Sequence, residues 1–267
     1  MPLRTPLYEH LQETVIRAGD LAGELFRKDI HIETKPDGSK VSEADYAVNE
    51  FLQQKLCAFD PSYSWLSEES PVTDERLDAK RTWIIDPIDG THSFLKGDTD
   101  WTIVAALIEK GEPVLGAVYN PVLNELYMAE KGSGAQLNGI DISTNSSEHV
   151  KNAHIIASKA QFDRVFPDET TAPKRSWRCS MAYRIALVAA GKADATISMT
   201  PKNDWDIAAA HIILEEAGGQ MTTQKGVKLR YNKPKLKHSG VVASSTPLYK
   251  NLIQITTAAA DKPRKAQ

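Results

Sequence analysis

Residues 101–130, WTIVAALIEKGEPVLGAVYNPVLNELYMAE, constrain the fold more than any other stretch of this chain. Short apolar segments are interrupted at Lys110-Gly111 and Asn120-Pro121, and both interruptions are turn signals. Such a run builds an antiparallel meander, on which the rest of the chain must pack. Ahead of it, YEHLQETVIRAGDLAGELFRK sets Leu11, Val15, Ile16, Leu21 and Leu25 near helical spacing, and KPDGSK ends that helix. SEADYAVNEFLQQKLCAF begins a second helix, with Ser42 and Asp45 fitting a capping box. SYSWLSEES and RTWIID read as short strands flanking a polar, proline-containing loop.

After KGSGAQLNG the pattern changes. The strands AHIIAS, ADATISM and SGVVAS alternate with the helices MAYRIALVAAG and WDIAAAHIILEEAGG. The change falls at residues 145 to 152, which divides the chain into an α+β half, residues 1–148, and an α/β half, residues 149–267, within one structural unit. The tail TTAAADKPRKAQ reads as frayed.

At 267 residues and 41% apolar content the chain can bury a sizeable core. Charged residues make up 25% and the formal net charge is -3, which argues against a nucleic-acid coat or a disordered acidic tail. The first thirty residues show no basic stretch followed by an apolar one, and no apolar run approaches the ~18 residues of a membrane span. A cytoplasmic protein without membrane contact is expected. Cys57 and Cys179 form no C-x-x-C pair, so neither a disulfide framework nor a zinc knuckle is indicated, and both are expected to be buried thiols.

The chemistry lies in WIIDPIDGTHSF, residues 83–94, where an apolar strand ends in two aspartates. Asp86 can cap a turn that Pro87 begins, and Asp89-Gly90 is an ordinary turn dipeptide. Two carboxylates at the end of a buried strand nevertheless need compensation, and the motif holds no lysine or arginine. A hard divalent cation, Mg2+, satisfies them with oxygen ligands. Further carboxylates stand at Glu68 and Glu69 in WLSEES and at Asp206, where the simpler role is helix N-terminal charge complementarity worth ~0.3–1 kcal/mol. If a short helix begins at His92 or Ser93, the Gly90 and Thr91 amides form an anion seat. Metal carboxylates beside such amides point to a phosphate ester. There is no P-loop, no G-x-S-x-G and no H-E-x-x-H, and His92 is expected to be a local hydrogen-bonder.

WIIDPIDGTHSF resembles the signature of the inositol monophosphatase superfamily, Mg-dependent and lithium-sensitive phosphatases. The similarity spans nearly the whole chain. KPDGSKVSEAD resembles the family's first loop and its aspartate, SEES its acidic pair, GAVYNPVLNELYMAEKGSGAQLNG its central hairpin and WDIAAAHIILEEAGG its second signature. The resemblance implies an α+β fold, a layered α-β-α-β-α sandwich, and a homodimer. It implies two or three Mg2+ ions held by Glu68, Asp86, the Ile88 carbonyl, Asp89 and Asp206. Glu68 and Thr91 would orient the attacking water, Asp45 would steady the Thr91 hydroxyl, and the Gly90 and Thr91 amides would receive phosphate. Ser67, where many relatives have glycine, and His92-Ser93, where an asparagine is frequent, depart from the pattern without touching an expected ligand.

The implied substrate is a small phosphorylated metabolite. Inositol monophosphatases typically place an acidic residue several positions before the second signature to receive sugar hydroxyls, but here the stretch is ATISMTPKNDWD, with Ser198 near that place. The Pro201-to-Asp206 spacing and GVKLRYN look more like bacterial 3′(2′),5′-bisphosphate nucleotidases, with Lys202 facing a second phosphate. Ser180, Arg184, Asp89 and Asp206 complete the expected substrate contacts, although an arginine in a helix is commonly a solvated surface residue. Inositol-1-phosphate is the alternative substrate. Since some superfamily members bind transcription machinery, KGVKLRYNKPKLKH, with six basic residues between Lys225 and Lys237, is either a patch for an RNA backbone or a solvated hairpin.

Overall fold

The computed structural model describes residues 4–262. Helix α1 (Pro6–Leu25) begins where the Thr5 side chain accepts the Tyr8 amide at 3.2 Å, with Pro6 in the first turn. Tyr8, Leu11, Val15, Ala18 and Ala22 form its buried stripe. A hairpin of β1 (Ile32–Thr34) and β2 (Lys40–Ser42) follows, with residues 35–39 at its tip. Ser42 and Asp45 then form the capping box of α2 (Glu43–Phe59).

A seven-stranded sheet comes next, its strands side by side in chain order: β3 (Ser64–Ser67), β4 (Arg81–Asp89), β5 (Thr102–Glu109), β6 (Glu112–Asn120), β7 (Glu125–Glu130), β8 (Ala135–Leu137) and β9 (Ile140–Ile142). A short helix, α3 (Thr91–Lys96), joins β4 to β5. Lys110 and Gly111 both hold positive φ, 52° and 76°, as a two-residue hairpin turn demands. The meander continues two strands beyond the sequence expectation, because Asn138-Gly139 repeats that turn chemistry with φ of 51° and 78°.

The second half contains β10 (His154–Ile156), α4 (Lys159–Val165), β11 (Lys174–Ser176), α5 (Met181–Ala189), β12 (Ala195–Ser198), β13 (Lys202–Asn203), α6 (Asp204–Glu216), β14 (Gly219–Thr222), β15 (Lys237–His238), β16 (Val241–Ser245) and α7 (Thr246–Asp261). Five of its strands form a mixed sheet in the order β11-β10-β12-β16-β14, while β13 and β15 pair as a separate ribbon.

Period-two alternation builds the layers. Trp83, Ile85, Ile103, Ala105 and Leu107 pack beneath α1 and α2, whereas Ile84, Val104, Ala106 and Ile108 face α5 and α6. Val241 and Ala243 of β16 close that second core from the other side, so α5 and α6 are buried between two sheets. Ala195, Ile197 and Val242 point the opposite way, toward α4 and α7. The architecture is therefore α+β, layered helix-sheet-helix-sheet-helix. At Gly116 a Cβ would lie 2.7 Å from the Ala209 carbonyl oxygen, so α6 rests directly on β6.

Three expectations change. The tail is not frayed as far as it is described: α7 runs to Asp261 and buries Leu248, Leu252, Thr256 and Ala259 at helical spacing, while residues 263–267 lie outside the described residues. Cys57 and Cys179 are free but only partly buried. The Lys225–Lys237 run is no solvated hairpin, because Leu229 and Tyr231 are core residues and β15 pairs with β13 instead. No helix among the described residues is long and apolar enough to cross a membrane.

Candidate active site

In a regular strand, residues three apart point to opposite faces. Between Asp86 and Asp89 the register against β5 shifts: Asp86 pairs with Val104 and Asp89 with Thr102, so β4 carries one residue more than its partner. This bulge turns both aspartates toward the same end of the sheet, and it also tolerates Pro87, which has no amide to donate. Asp86 is 3% and Asp89 8% exposed. Gly90 follows at φ 99°, and a Cβ there would lie 2.7 Å from the Asp100 carbonyl oxygen, so only glycine makes this turn. Helix α3 starts at Thr91, one residue earlier than anticipated, with Gly90 as its cap.

The Thr91 hydroxyl has one proton and two acceptors, the Ile88 carbonyl at 3.0 Å and Asp45 Oδ1 at 3.2 Å. Asp45 is itself fixed, its Oδ2 accepting the Ser42 amide at 2.8 Å and hydroxyl at 2.6 Å. The capping box of α2 thus reaches the DPIDGT turn. Burial raises the Asp45 pKa, against the Ser42 and Thr91 hydrogen bonds.

Glu68 follows β3, and Asp206 is the N3 residue of α6, where its Oδ2 accepts the Asn203 amide at 2.7 Å. Glu68, Asp86 and Asp206 each bring an oxygen within 4.8 Å of the others. At that separation two unit charges repel by on the order of 3 kcal/mol at an effective dielectric near 20. Burial first, then the Glu68, Asp89 and Asp206 charges, pushes Asp86 well above the usual carboxylate range. Asp206 is pushed up to about 7, mainly by burial, with Lys202 opposing and Asp89 and Glu68 reinforcing the rise. Three hard oxygens held this way suit Mg2+, which would relieve their repulsion.

Sequence reasoning missed the nearest cation. Lys35, at the β1–β2 tip, donates to Glu68 at 3.0 Å and Glu69 at 2.7 Å. Burial works against the Lys35 charge, but the bonds to Glu69 and Glu68 prevail and raise its pKa. Burial likewise lifts Glu69 to about 7. The signal lay in the first residue of KPDGSK, but its distance in sequence from Glu68 hid the pairing.

Asp89 lies outside the triad. Its Oδ2 accepts the Ser180 hydroxyl at 2.6 Å and the Ala182 amide at 2.7 Å, so it holds the first turn of α5, while Oδ1 has no hydrogen-bond partner among the described residues. Burial raises the Asp89 pKa, and these two bonds oppose the rise.

Two expected substrate contacts are therefore corrected. Ser180 is fully buried and its hydroxyl is used by Asp89. Arg184 is neither solvated nor free: it is 5% exposed, donates to the Arg178 and Cys179 carbonyls, and burial lowers its pKa to about 10. Its guanidinium backs the exposed Trp177 ring at 3.8 Å, and neighbouring Arg178 lies 3.5 Å from Asp100 beside the Gly90 turn. The His92 side chain is exposed and makes no hydrogen bond among the described residues. The Lys202 charge opposes the burial-driven rise of both Asp89 and Asp206.

The Inositol monophosphatase family model matches residues 3–261. The 3′(2′),5′-bisphosphate nucleotidase CysQ of Aggregatibacter actinomycetemcomitans is 32% identical, covering 87% of this chain and 90% of its own. Inositol monophosphatase 3 of Solanum lycopersicum is 33% identical over 78% of this chain and 82% of its own. Among solved structures, an IMPase of Thermotoga maritima superposes with a TM-score of 0.83 at 27% identity, covering 95% of this chain and 97% of that one. The extragenic suppressor protein suhB of Bartonella henselae shares the fold, with a TM-score of 0.85 at 23% identity over 94% of this chain and 98% of that one. The chain belongs to the inositol monophosphatase family.

Proposed function

We propose that this phosphoric monoester hydrolase removes the ribose 3′- or 2′-phosphate of a bisphosphate nucleotide, converting adenosine 3′,5′-bisphosphate to AMP with Mg2+ at the acidic triad. Lys202 carries the substrate assignment. It stands in β13, directly ahead of α6, whose N3 residue is Asp206, and a second phosphate of the substrate would need a cation beside the acidic site. The position that would instead receive polyol hydroxyls offers none: Ser198 is fully buried and donates to the Thr200 carbonyl at 3.2 Å. Asp204, also fully buried, is held by the Asn232 amide and His238. The exposed Trp177 face, stiffened by Arg184, gives a planar base a surface to stack on. CysQ relatives near 30% identity support the same reading.

The chain's own groups divide the work. Because the Thr91 proton is committed to Ile88 or Asp45, a lone pair of its oxygen is left to accept from the attacking water, with Glu68 as the second acceptor. Asp86, Asp206, Glu68 and the second oxygen of Asp89 would hold divalent ions, which would supply a lowered pKa of water and a counter-charge for the phosphoryl and leaving oxygens. The Gly90 and Thr91 amides open α3 toward the phosphate.

Phosphate release with Mg2+ from adenosine 3′,5′-bisphosphate, inositol-1-phosphate and fructose-1,6-bisphosphate tests the assignment. The nucleotide should show the highest kcat/KM, and a preference for inositol-1-phosphate would overturn it.

A further inference from the structure

The basic run after α6 is divided in two by its ion pairs. Lys225 pairs with Asp261 at 2.5 Å, and Lys228 and Arg230 pair with Glu112 at 2.8 and 3.1 Å. Lys235 and Lys237 have no such partner among the described residues. Both line a cavity of about 530 Å³, together with Arg164, Lys262, Gln224 and Ser239, and no carboxylate of the described residues lines it. That volume is in the range of small-molecule sites.

Part of the lining is fixed by the fold, while Lys235, Lys237, Ser239 and Lys262 are exposed around its open mouth. Arg164 donates to the Ala259 carbonyl through Nε and Nη2, at 3.2 and 3.1 Å, and to the Lys262 carbonyl at 2.9 Å, which pins it at the end of α7. Its charge answers the negative end of that helix, and Lys235, Lys237 and Lys262 have no carboxylate partner among the described residues. Gln224 and Ser239 are tied to each other, the Ser239 hydroxyl donating to Gln224 Oε1 at 3.2 Å and Gln224 Nε2 to the Ser239 carbonyl at 3.2 Å. Lys237 is locked in register opposite Asn203 on the β13–β15 ribbon. No member of the acidic triad lines this cavity. Pro201 does, whereas the charge of the next residue, Lys202, acts on the acidic site.

Like charges gathered around a concave, carboxylate-free space focus a positive potential into it. We propose that this cavity is a second anion site, distinct from the acidic site, and that it takes a compact polyphosphate: inorganic pyrophosphate or the phosphate chain of a nucleotide. Neutralising three lysines calls for more charge than one phosphate carries, which favours two or more linked phosphates.

Calorimetric titration of pyrophosphate in EDTA and ~0.15 M salt tests this, because without metal the acidic site repels anions while salt screens open surface lysines beyond ~8 Å. Wild type should bind saturably and with one-to-one stoichiometry. The double variant Lys235→Gln/Lys237→Gln should bind at least about tenfold more weakly, since each lysine supplies a charge-assisted contact. Asp86→Asn should bind as wild type does. ATP competing with pyrophosphate identifies a nucleotide's phosphate chain as the source, and failure of adenosine to compete places recognition on the phosphates. Three results overturn the proposal: no saturable binding by wild type, unchanged binding by the double variant, or binding of single-stranded RNA but not pyrophosphate. A fourth is a double variant whose only defect is a raised KM for the phosphatase substrate, which would make both lysines part of the known site.

Discussion

Replacing Asp206 by asparagine separates the two roles a carboxylate can have at the start of α6, metal ligand or helix cap. Asp206 Oδ2 accepts the Asn203 amide at 2.7 Å, and an asparagine oxygen can keep that bond, so the substitution removes charge and little else. In the metal-free protein the folded-state pKa is raised from 3.8 to about 7. Between those values the folded protein retains a proton that the unfolded chain has lost, so wild-type stability falls as pH rises through this window and levels off above it. At about 1.4 kcal/mol per pH unit, the interval from pH 5 to pH 7 amounts to on the order of 3 kcal/mol. Asparagine has no such slope.

In EDTA, the melting temperature of Asp206→Asn relative to wild type should therefore climb between pH 5 and pH 8 by roughly 5–10 °C, at ~2–4 °C per kcal/mol for a chain of this size. Mg2+ should reverse the order, since a ligand at about 100 times its Kd stabilises by ~2.7 kcal/mol and the variant forfeits most of that. Activity should fall ~100-fold or more, as expected when several kcal/mol of metal-assisted stabilisation are lost. Scanning calorimetry at four pH values, with EDTA and with Mg2+, reads all of this except the rate. A variant destabilised by the same amount at every pH, with an equal response to Mg2+ and retained activity, would make Asp206 a cap and refute the argument.

Thr91→Ala should lower kcat by ~30-fold or more and leave KM within about threefold, because the lone pair it removes acts on the attacking water; steady-state kinetics showing a change in KM alone would reduce Thr91 to a phosphate contact. Gly90→Ala should lose ~2 kcal/mol or more in urea unfolding, since its Cβ would meet the Asp100 carbonyl oxygen at 2.7 Å and its φ of 99° is hostile to a side chain. Trp177→Ala should raise KM for adenosine 3′,5′-bisphosphate about tenfold or more while sparing inositol-1-phosphate, stacking being worth ~1–3 kcal/mol per base; equal effects on both substrates would remove the ring from base recognition.

How far the sequence could be read depended on whether a residue's partner was local. The meander, the first two helices and the Ser42-Asp45 capping box are dictated by neighbours, and they were legible. So was Asp86 of the acidic triad, because two carboxylates ending an apolar strand are costly wherever they fold, whereas Glu68 and Asp206 were assigned to the metal only through the family resemblance. Arg184 was misjudged because its helix is covered on both sides, by β5 and β6 of one sheet and β16 of the other, and single-helix periodicity shows no such second cover. Ser180 and Lys35 were obscured by distance: their partners lie 91 and 33 residues away along the chain. Helix α7 was hidden by its own composition, since TTAAAD looks like low complexity until Leu248 and Leu252 are counted with it.

Asp89 shows why the acidic site sits where the two sheets come together. One of its oxygens holds Ser180 and Ala182 of the second half, while its backbone ends β4 of the first, so a single carboxylate ties helix α5 to the strand that carries Asp86. Asp45 makes a similar tie within the first half, joining α2 to the Gly90-Thr91 turn through the Thr91 hydroxyl. Asp89 meets its bonding partners with Oδ2 alone, whereas Asp45 uses both oxygens, Oδ2 for Ser42 and Oδ1 for Thr91. Charges that would repel if they were only ligands are thus held in place by backbone amides and hydroxyls, and the site is organised before metal arrives. The repulsion that remains is concentrated in Glu68, Asp86 and Asp206, and it is what divalent cations would relieve.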